Sequence, residues 1–242
     1  MGRRVELDAL RLLLDSLPSG GVAVVEGEPG IGKSALLGWA IDEATSRGAR
    51  SVQLHGERPT SARPFAMLQE LSGDAPVDSM GMLSLERLVD QVLDGAPGES
   101  TLLTIDDVQW ADATTLRSLA PIVRRAVNAG TAVIIATRTH PQPVELTAFF
   151  ERVAPLVRAH VRLSALPDGE LVDMLADLSD EPRGRLRALV RGAGGNPMYA
   201  QLLAWTRASG KDAGPRSVRA GRSGVENRPV WTAVVDLSLI HI

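Results

Sequence analysis

Residues 27–34 read Gly-Glu-Pro-Gly-Ile-Gly-Lys-Ser, and this stretch decides the fold. It matches the P-loop pattern, in which glycines let backbone N–H groups turn inward onto phosphate oxygens while the following helix adds its positive N-terminal end. Gly27, Glu28, Pro29, Gly30, Ile31, Gly32, Lys33, Ser34 and Ala35 are therefore the candidate nucleotide-binding residues. Lysine is rare here: of 26 Lys and Arg residues only Lys33 and Lys211 are lysines. A compact point charge suits the β/γ-phosphates, where arginine's wide planar fork fits poorly. The Ser34 hydroxyl is a candidate Mg²⁺ ligand. The plainer alternative is a glycine-rich turn, but a strand before, a helix after and a lysine in register speak against it.

Working outward, apolar runs alternate with helical patterns, the signature of an α/β sheet. Leu7, Leu10, Leu13, Leu14 and Leu17 predict an opening helix, and Val22 to Val25 a buried strand that feeds the P-loop. A helix is expected over 34–46 and a second strand over 51–55. The stretch 58–98 reads as a loop and two helices. Strands follow at 101–105, 131–136 and 159–163, with a helix carrying Leu116, Leu119, Ile122, Val123 and Val127, and another near 145–152. The expected fold is an α/β P-loop NTPase three-layer sandwich with a mostly parallel five-stranded sheet. This core spans 1–166. After Pro167 the pattern turns all-helical, and 167–208 reads as the start of a small helical lid.

From Ser209 onward Gly, Ser, Arg and Pro dominate without apolar periodicity, so 209–242 is expected to be an unstructured tail. Its last residues, Leu237 to Ile242, resemble the translation of a transposon-end adapter used in sequencing libraries. A reading frame running off a short DNA fragment would leave a piece of a longer protein.

The chain has 242 residues, 44% hydrophobic, with only 3% aromatic, so its core must come from Leu, Val, Ile and Ala. A net charge of −3 leaves no global nucleic-acid footprint. Without cysteine, disulfides and thiolate metal sites are excluded. The four histidines show no metal-ligand spacing. No signal peptide or membrane-spanning run is read, and the expected location is the cytoplasm.

The second constellation is Leu102-Leu103-Thr104-Ile105-Asp106-Asp107. An acid ending a buried strand, beside the P-loop strand, is suited to hold the Mg²⁺ of the nucleotide, and Asp106 takes that role. Asp107 is the candidate to orient or deprotonate the attacking water; a helix N-cap or a solvated loop acid is the alternative. Asp112, before Ala113-Thr114-Thr115, reads as a helix N-cap. Arg138 follows the fourth strand at the sheet's carboxyl edge, where it would contact the γ-phosphate; on position alone a surface arginine serves equally. Gly195-Asn196-Pro197 opens a helix and is by itself a turn. A small-molecule kinase shares the P-loop, but the Asp-Asp pair followed by Val108-Gln109-Trp110 argues against one.

These segments also carry a family resemblance. Gly2-Arg3-Arg4-Val5-Glu6-Leu7 with Glu26 to Ser34 resembles the opening of AAA+-related regulatory ATPases of the STAND group. Ile105-Asp106-Asp107-Val108-Gln109-Trp110-Ala111-Asp112 resembles the Walker B segment of large ATP-binding LuxR-type regulators, whose ATPase modules are in turn similar to Orc-like AAA domains. The resemblance covers roughly residues 1–208. It implies ATP and ADP as ligands with Mg²⁺, Arg3 as a nucleotide-site residue, Thr137-Arg138 as the sensor arginine, and Asn196 and Pro197 as a lid motif near the adenine. Such regulators usually have Gly-Arg-Glu at the opening, where this chain has Arg4 in the acidic position. They also continue to a DNA-binding helix-turn-helix that is not read here.

Two functions are therefore expected. The first is a slowly hydrolysing ATP switch module of a signalling or transcriptional regulator, self-associating in its ATP state or contacting C-terminal domains, with no direct DNA binding and no membrane contact. The second is a stand-alone Orc-like ATPase that loads or remodels a nucleic-acid or protein partner.

Overall fold

A computed structural model describes residues 3–16, 19–57, 64–65, 67–68, 100–140 and 143–209. They form two compact units divided between Ala165 and Leu166. The position of Leu17, most of the stretch 58–98 and the tail from residue 210 lie outside the described residues.

The first unit begins with α1 (Arg4–Asp15), then β1 (Gly21–Glu26), α2 (Lys33–Ser46), β2 (Arg50–His55) and β3 (Thr101–Asp106). α3 (Ala113–Asn128), β4 (Ala132–Thr137), α4 (Val144–Val153) and β5 (Val157–Arg162) complete it. The five strands form one sheet in the order β2-β3-β4-β1-β5, and every neighbouring pair is parallel.

Strand periodicity explains how both faces are filled. Side chains alternate across a strand, and a parallel sheet is covered on both sides. Ala23, Val25, Leu102, Ile134 and Ala136 face one way, against Leu7, Leu10, Leu13 and Leu14 of α1 and Leu36, Leu37 and Ala40 of α2. Val22, Val24, Leu54, Leu103, Ile105 and Ile135 face the other, against Leu116, Leu119 and Val123 of α3 and Leu146 and Phe149 of α4. The core is aliphatic as the composition requires, with Phe149 as its one fully buried aromatic among the described residues.

One expectation is corrected by the strand order. The acid-bearing β3 is not the neighbour of β1, because β4 lies between them. β1 crosses to the edge position of β2, and the chain then returns through β3 and β4 before β5 closes the far side. Segment patterns fix which runs are strands but not their order. The end of β4, followed by Arg138, therefore stands between the P-loop strand and the strand that ends in the acidic pair.

In the second unit, α5 (Asp168–Leu178), α6 (Arg183–Val190) and α7 (Pro197–Ser209) pack around Leu171, Val172, Leu175, Leu186, Leu189, Val190, Ala193 and Ala200. Pro167 and Pro182 precede α5 and α6, where a missing N–H is harmless. Gly194 and Gly195, at φ +55° and +79°, turn the chain into α7. Asn196 caps that helix, its Oδ1 accepting from Met198 N at 3.0 Å and Tyr199 N at 3.4 Å, and Pro197 takes the first helical position. Leu178 and Leu202, which extend the leucine pattern, are exposed.

Candidate functional site

The carboxyl ends of β1, β4, β3 and β2 lie side by side, and the candidate residues of the first unit follow them. The loop after β1 is drawn tight. A β-carbon at Gly27 would stand 2.7 Å from Ile31 Cγ2 and 3.1 Å from Leu163 Cβ, so a side chain there would force its neighbours to shift. Gly27 N–H donates to Thr137 O at 3.3 Å, fastening the start of the loop to the end of β4. Gly30 and Gly32 have φ of +73° and +108°, backbone that favours glycine. Gly32 is also the residue before α2, and a β-carbon on it would meet nothing within 4 Å. Beside it lies open space at a helix N-terminus, where an anion is favoured.

Lys33 opens α2 and is buried, with Nζ donating to Gly27 O at 3.0 Å and Glu28 O at 3.1 Å. Its ammonium curls back over its own loop. Burial holds its pKa below the ordinary 10.5; Asp107 opposes that lowering, Arg138 adds to it, and Asp106 and Glu28 oppose it in turn. The charged groups named from sequence thus act on one another. Ser34 and Ala35 follow Lys33 and are exposed.

Arg3 meets the loop from outside. Its Nη2 donates to Ile31 O at 3.0 Å, while Nη1 pairs with Glu6 at 3.2 Å. The acid one turn into α1 thereby orients Arg3, and Arg4 has no part in the contact between Arg3 and Glu6.

At the end of β3, Asp106 Oδ1 accepts from Asp107 N at 2.8 Å, and Asp106 Oδ2 lies 3.9 Å from His55 Nδ1 on β2. Asp107 is left-handed at φ +48°, a region sparsely populated by non-glycine residues, though aspartate tolerates it better than most. It precedes a short helical turn, Val108–Trp110, and its carbonyl accepts from Trp110 N at 3.0 Å. Gln109, buried in this turn, donates from Nε2 to Asp107 Oδ1 at 2.6 Å. Its Oε1 accepts from the backbone N–H of Arg138 at 3.2 Å. The Arg138 guanidinium carbon lies 5.0 Å from the centre of the Trp110 ring, within cation–π range. Arg138 Nε is buried with no partner among the described residues.

Asp112 is the N-cap of α3, as its sequence position indicates. Its carboxylate accepts from Thr114 N at 2.9 Å, Thr115 N at 3.0 Å, the Thr115 hydroxyl, and Phe65 N at 2.9 Å.

The arrangement fits a magnesium nucleotide. The open space at Gly32, at the N-terminus of α2, suits an anion. A serine hydroxyl and an aspartate carboxylate are hard oxygen donors of the kind Mg²⁺ takes. No cluster of three or more His, Cys, Asp or Glu side chains able to hold a metal occurs among the described residues. A cation here would therefore share its shell with phosphate oxygens, as Mg²⁺ commonly does.

Sequence reasoning missed Gln109, Trp110, Glu6 and His55 as parts of this site, and Gly56, whose N–H donates to Asp106 O at 3.0 Å. Gln109 and Trp110 stood in the segment carrying the family resemblance, without a role. Asn196 and Pro197 belong to the second unit, where the contacts described are those of a helix cap.

Residues 1–135 match the AAA ATPase domain family. The chain belongs to that family. Among solved structures, AMPPCP-bound DnaA from Aquifex aeolicus superposes on this AAA ATPase domain with a TM-score of 0.62 at 16% identity, over 88% of this chain and 62% of that one. The Aeropyrum pernix ORC2 protein in its ADPNP-ADP complexes gives 0.61 at 19% identity, over 87% of this chain and 62% of that one. Domain III of the Thermotoga maritima replication initiation protein DnaA gives 0.59 at 16% identity, over 88% of both chains. The chain thus spans less than two thirds of the first two. At these identities the likeness is one of fold. No match was found among curated protein sequences. No helix among the described residues is long and apolar enough to cross a membrane.

Proposed function

We propose that this AAA ATPase domain is the ATP-binding switch of a STAND-type signalling or transcriptional regulator, hydrolysing ATP slowly as a timer. The observation that carries the reading is the place of β4 between the P-loop strand and the acid-bearing strand, with Arg138 directly after its end. A single ligand in the P-loop would then be felt by Lys33, Arg138, Asp106 and Asp107 together.

In this reading Gly27 to Ala35 wrap the phosphates, and Lys33 exchanges its loop carbonyls for β/γ-phosphate oxygens. Ser34 and Asp106 would hold Mg²⁺, which neutralises phosphate charge when bound. Asp107 accepts the proton of the water that attacks the γ-phosphorus as the bond to the β-phosphate breaks. Arg138 contacts the γ-phosphate and so distinguishes ATP from ADP. Arg3 steadies the loop through Ile31. Differential contact with the γ-phosphate is what biases a two-state switch.

A second reading, an Orc-like ATPase that loads or remodels a partner, draws support from the shared extent of this chain and the Thermotoga initiator domain, 88% of each. An Aeropyrum pernix ORC1 structure is a complex with DNA. The two readings part on DNA: the switch binds none through this chain, whereas the remodeller binds it in a nucleotide-dependent way.

The test is turnover of Mg-ATP by the wild type and Asp107→Asn, with binding of single- and double-stranded DNA measured alongside. Binding of nucleotide retained while hydrolysis drops about 100-fold or more supports Asp107 as the base. Unchanged turnover removes Asp107 from the mechanism, and ATP-dependent DNA binding transfers the chain to the second reading.

A further inference from the structure

We propose that Gln109 is a positioning residue, coupling the hydrolytic carboxylate of Asp107 to the arginine-bearing end of β4. The proposal rests on the ATPase reading above.

The chemistry of the two contacts dictates the side chain. An ionised carboxylate only accepts, so the group 2.6 Å from Asp107 Oδ1 must donate. A backbone N–H only donates, so the group 3.2 Å from Arg138 N must accept. One primary amide does both, and the orientation of its oxygen and nitrogen follows from those partners. Glutamate lacks the donor, methionine lacks strong groups of either kind, and asparagine is one methylene too short.

The same turn grips Arg138 twice. Gln109 holds its backbone N–H, and Trp110, the next residue, lies against its guanidinium. Asp107, at the head of that turn in a strained left-handed conformation, is held by the Gln109 amide. When Arg138 reaches for the γ-phosphate, the strand end that moves is bonded to the residue that orients the base. The Gln109 amide thereby keeps the Asp107 carboxylate aligned with the strand end that carries Arg138.

A purely structural glutamine makes a different prediction. Gln109 is buried, and if its bonds only maintained the fold, its loss would lower stability and nucleotide affinity along with hydrolysis. A positioning residue is felt in the hydrolytic step alone.

The experiment uses the whole chain as wild type, Asp107→Asn, Gln109→Met and Gln109→Glu. Single-turnover hydrolysis of Mg-ATP is measured beside equilibrium binding of ADP and of a non-hydrolysable ATP analogue, with thermal melts for each. Gln109→Met is expected to slow the hydrolytic step by about 10- to 100-fold, the range that a small misplacement of a catalytic group produces, with both affinities unchanged. Gln109→Glu keeps the acceptor for Arg138 but turns a carboxylate on Asp107. It is expected to lose at least as much, and it carries the test if the methionine variant does not fold. Wild-type hydrolysis in both Gln109 variants, with Asp107→Asn inactive, overturns the proposal and leaves the ATPase reading standing. Parallel losses of melting temperature, affinity and rate overturn it in favour of a structural role. Full turnover in Asp107→Asn removes the underlying reading and this proposal with it.

Discussion

A β-carbon at Gly56 would collide with the carbonyl oxygen of Asp107. Gly56 directly follows β2, and its N–H donates to Asp106 O at 3.0 Å. The backbone of β2's end thus presses against the acidic pair, and the left-handed turn at Asp107 is built into that contact. The obstacle is main chain, so no rotamer change relieves it.

Gly56→Ala is therefore expected to destabilise the first unit by roughly 1–3 kcal/mol, the usual range for overpacking. Displacement of Asp107 should also slow hydrolysis. Denaturant unfolding and turnover measured together check both, and wild-type values in each would contradict the contact.

Lys33 carries a pH signature. Burial holds its folded pKa below the ordinary 10.5, partly offset by Asp107 and the other nearby acids. Between the folded value and 10.5 the unfolded chain binds more protons than the native one, so this group's contribution to stability rises with pH across that window. Below the window both states are protonated and the burial penalty is fully felt. Without nucleotide, Lys33→Met is expected to melt no lower than wild type near neutral pH. The gap between the two should close as pH climbs toward 10.5. Melts across an alkaline series decide it, and a gap independent of pH would contradict the burial argument.

Asp112 is a structural acid, and its loss should leave the nucleotide site alone. Asp112→Ala removes acceptors from Thr114 N, Thr115 N and Phe65 N. A lost N-cap costs about 0.5–2 kcal/mol, and the additional loss at Phe65 places the expectation at the upper end. Chemical denaturation and nucleotide titration of the same variant test it. Weakened affinity with intact stability would mean Asp112 belongs to the site after all.

Much of this architecture is legible in the sequence because its signals are local. Gly27 to Ser34 combine glycines with a lone lysine, Val22 to Val25 and Leu102 to Ile105 are apolar runs too short for helices, and Asp112 stands one residue before a helical pattern. What escapes is set by packing between distant segments. The insertion of β4 between β1 and β3 is a property of strand order, which no single run encodes. Gly56 looks like an ordinary glycine after a strand until the carbonyl of Asp107 is found against it. Gln109 is polar and lies two residues past the acids, so its sequence position suggests a solvated turn; only the sheet brings Arg138 to its other end. Leu178 and Leu202 are exposed, while Leu171, Leu175, Leu186 and Leu189 form the second unit's core with Ala193 and Ala200.

One nucleotide site in this domain is proposed to read the γ-phosphate. This is tested most directly by calorimetric titration of the chain with Mg-ATP and Mg-ADP, using folded Lys33→Ala and Arg138→Ala as comparisons. Saturable binding of both nucleotides by the wild type is expected, with weakened triphosphate binding in Lys33→Ala and an ATP/ADP affinity ratio that moves toward unity in Arg138→Ala. Absence of binding by a folded wild type, or a ratio untouched by the loss of Arg138, would contradict it.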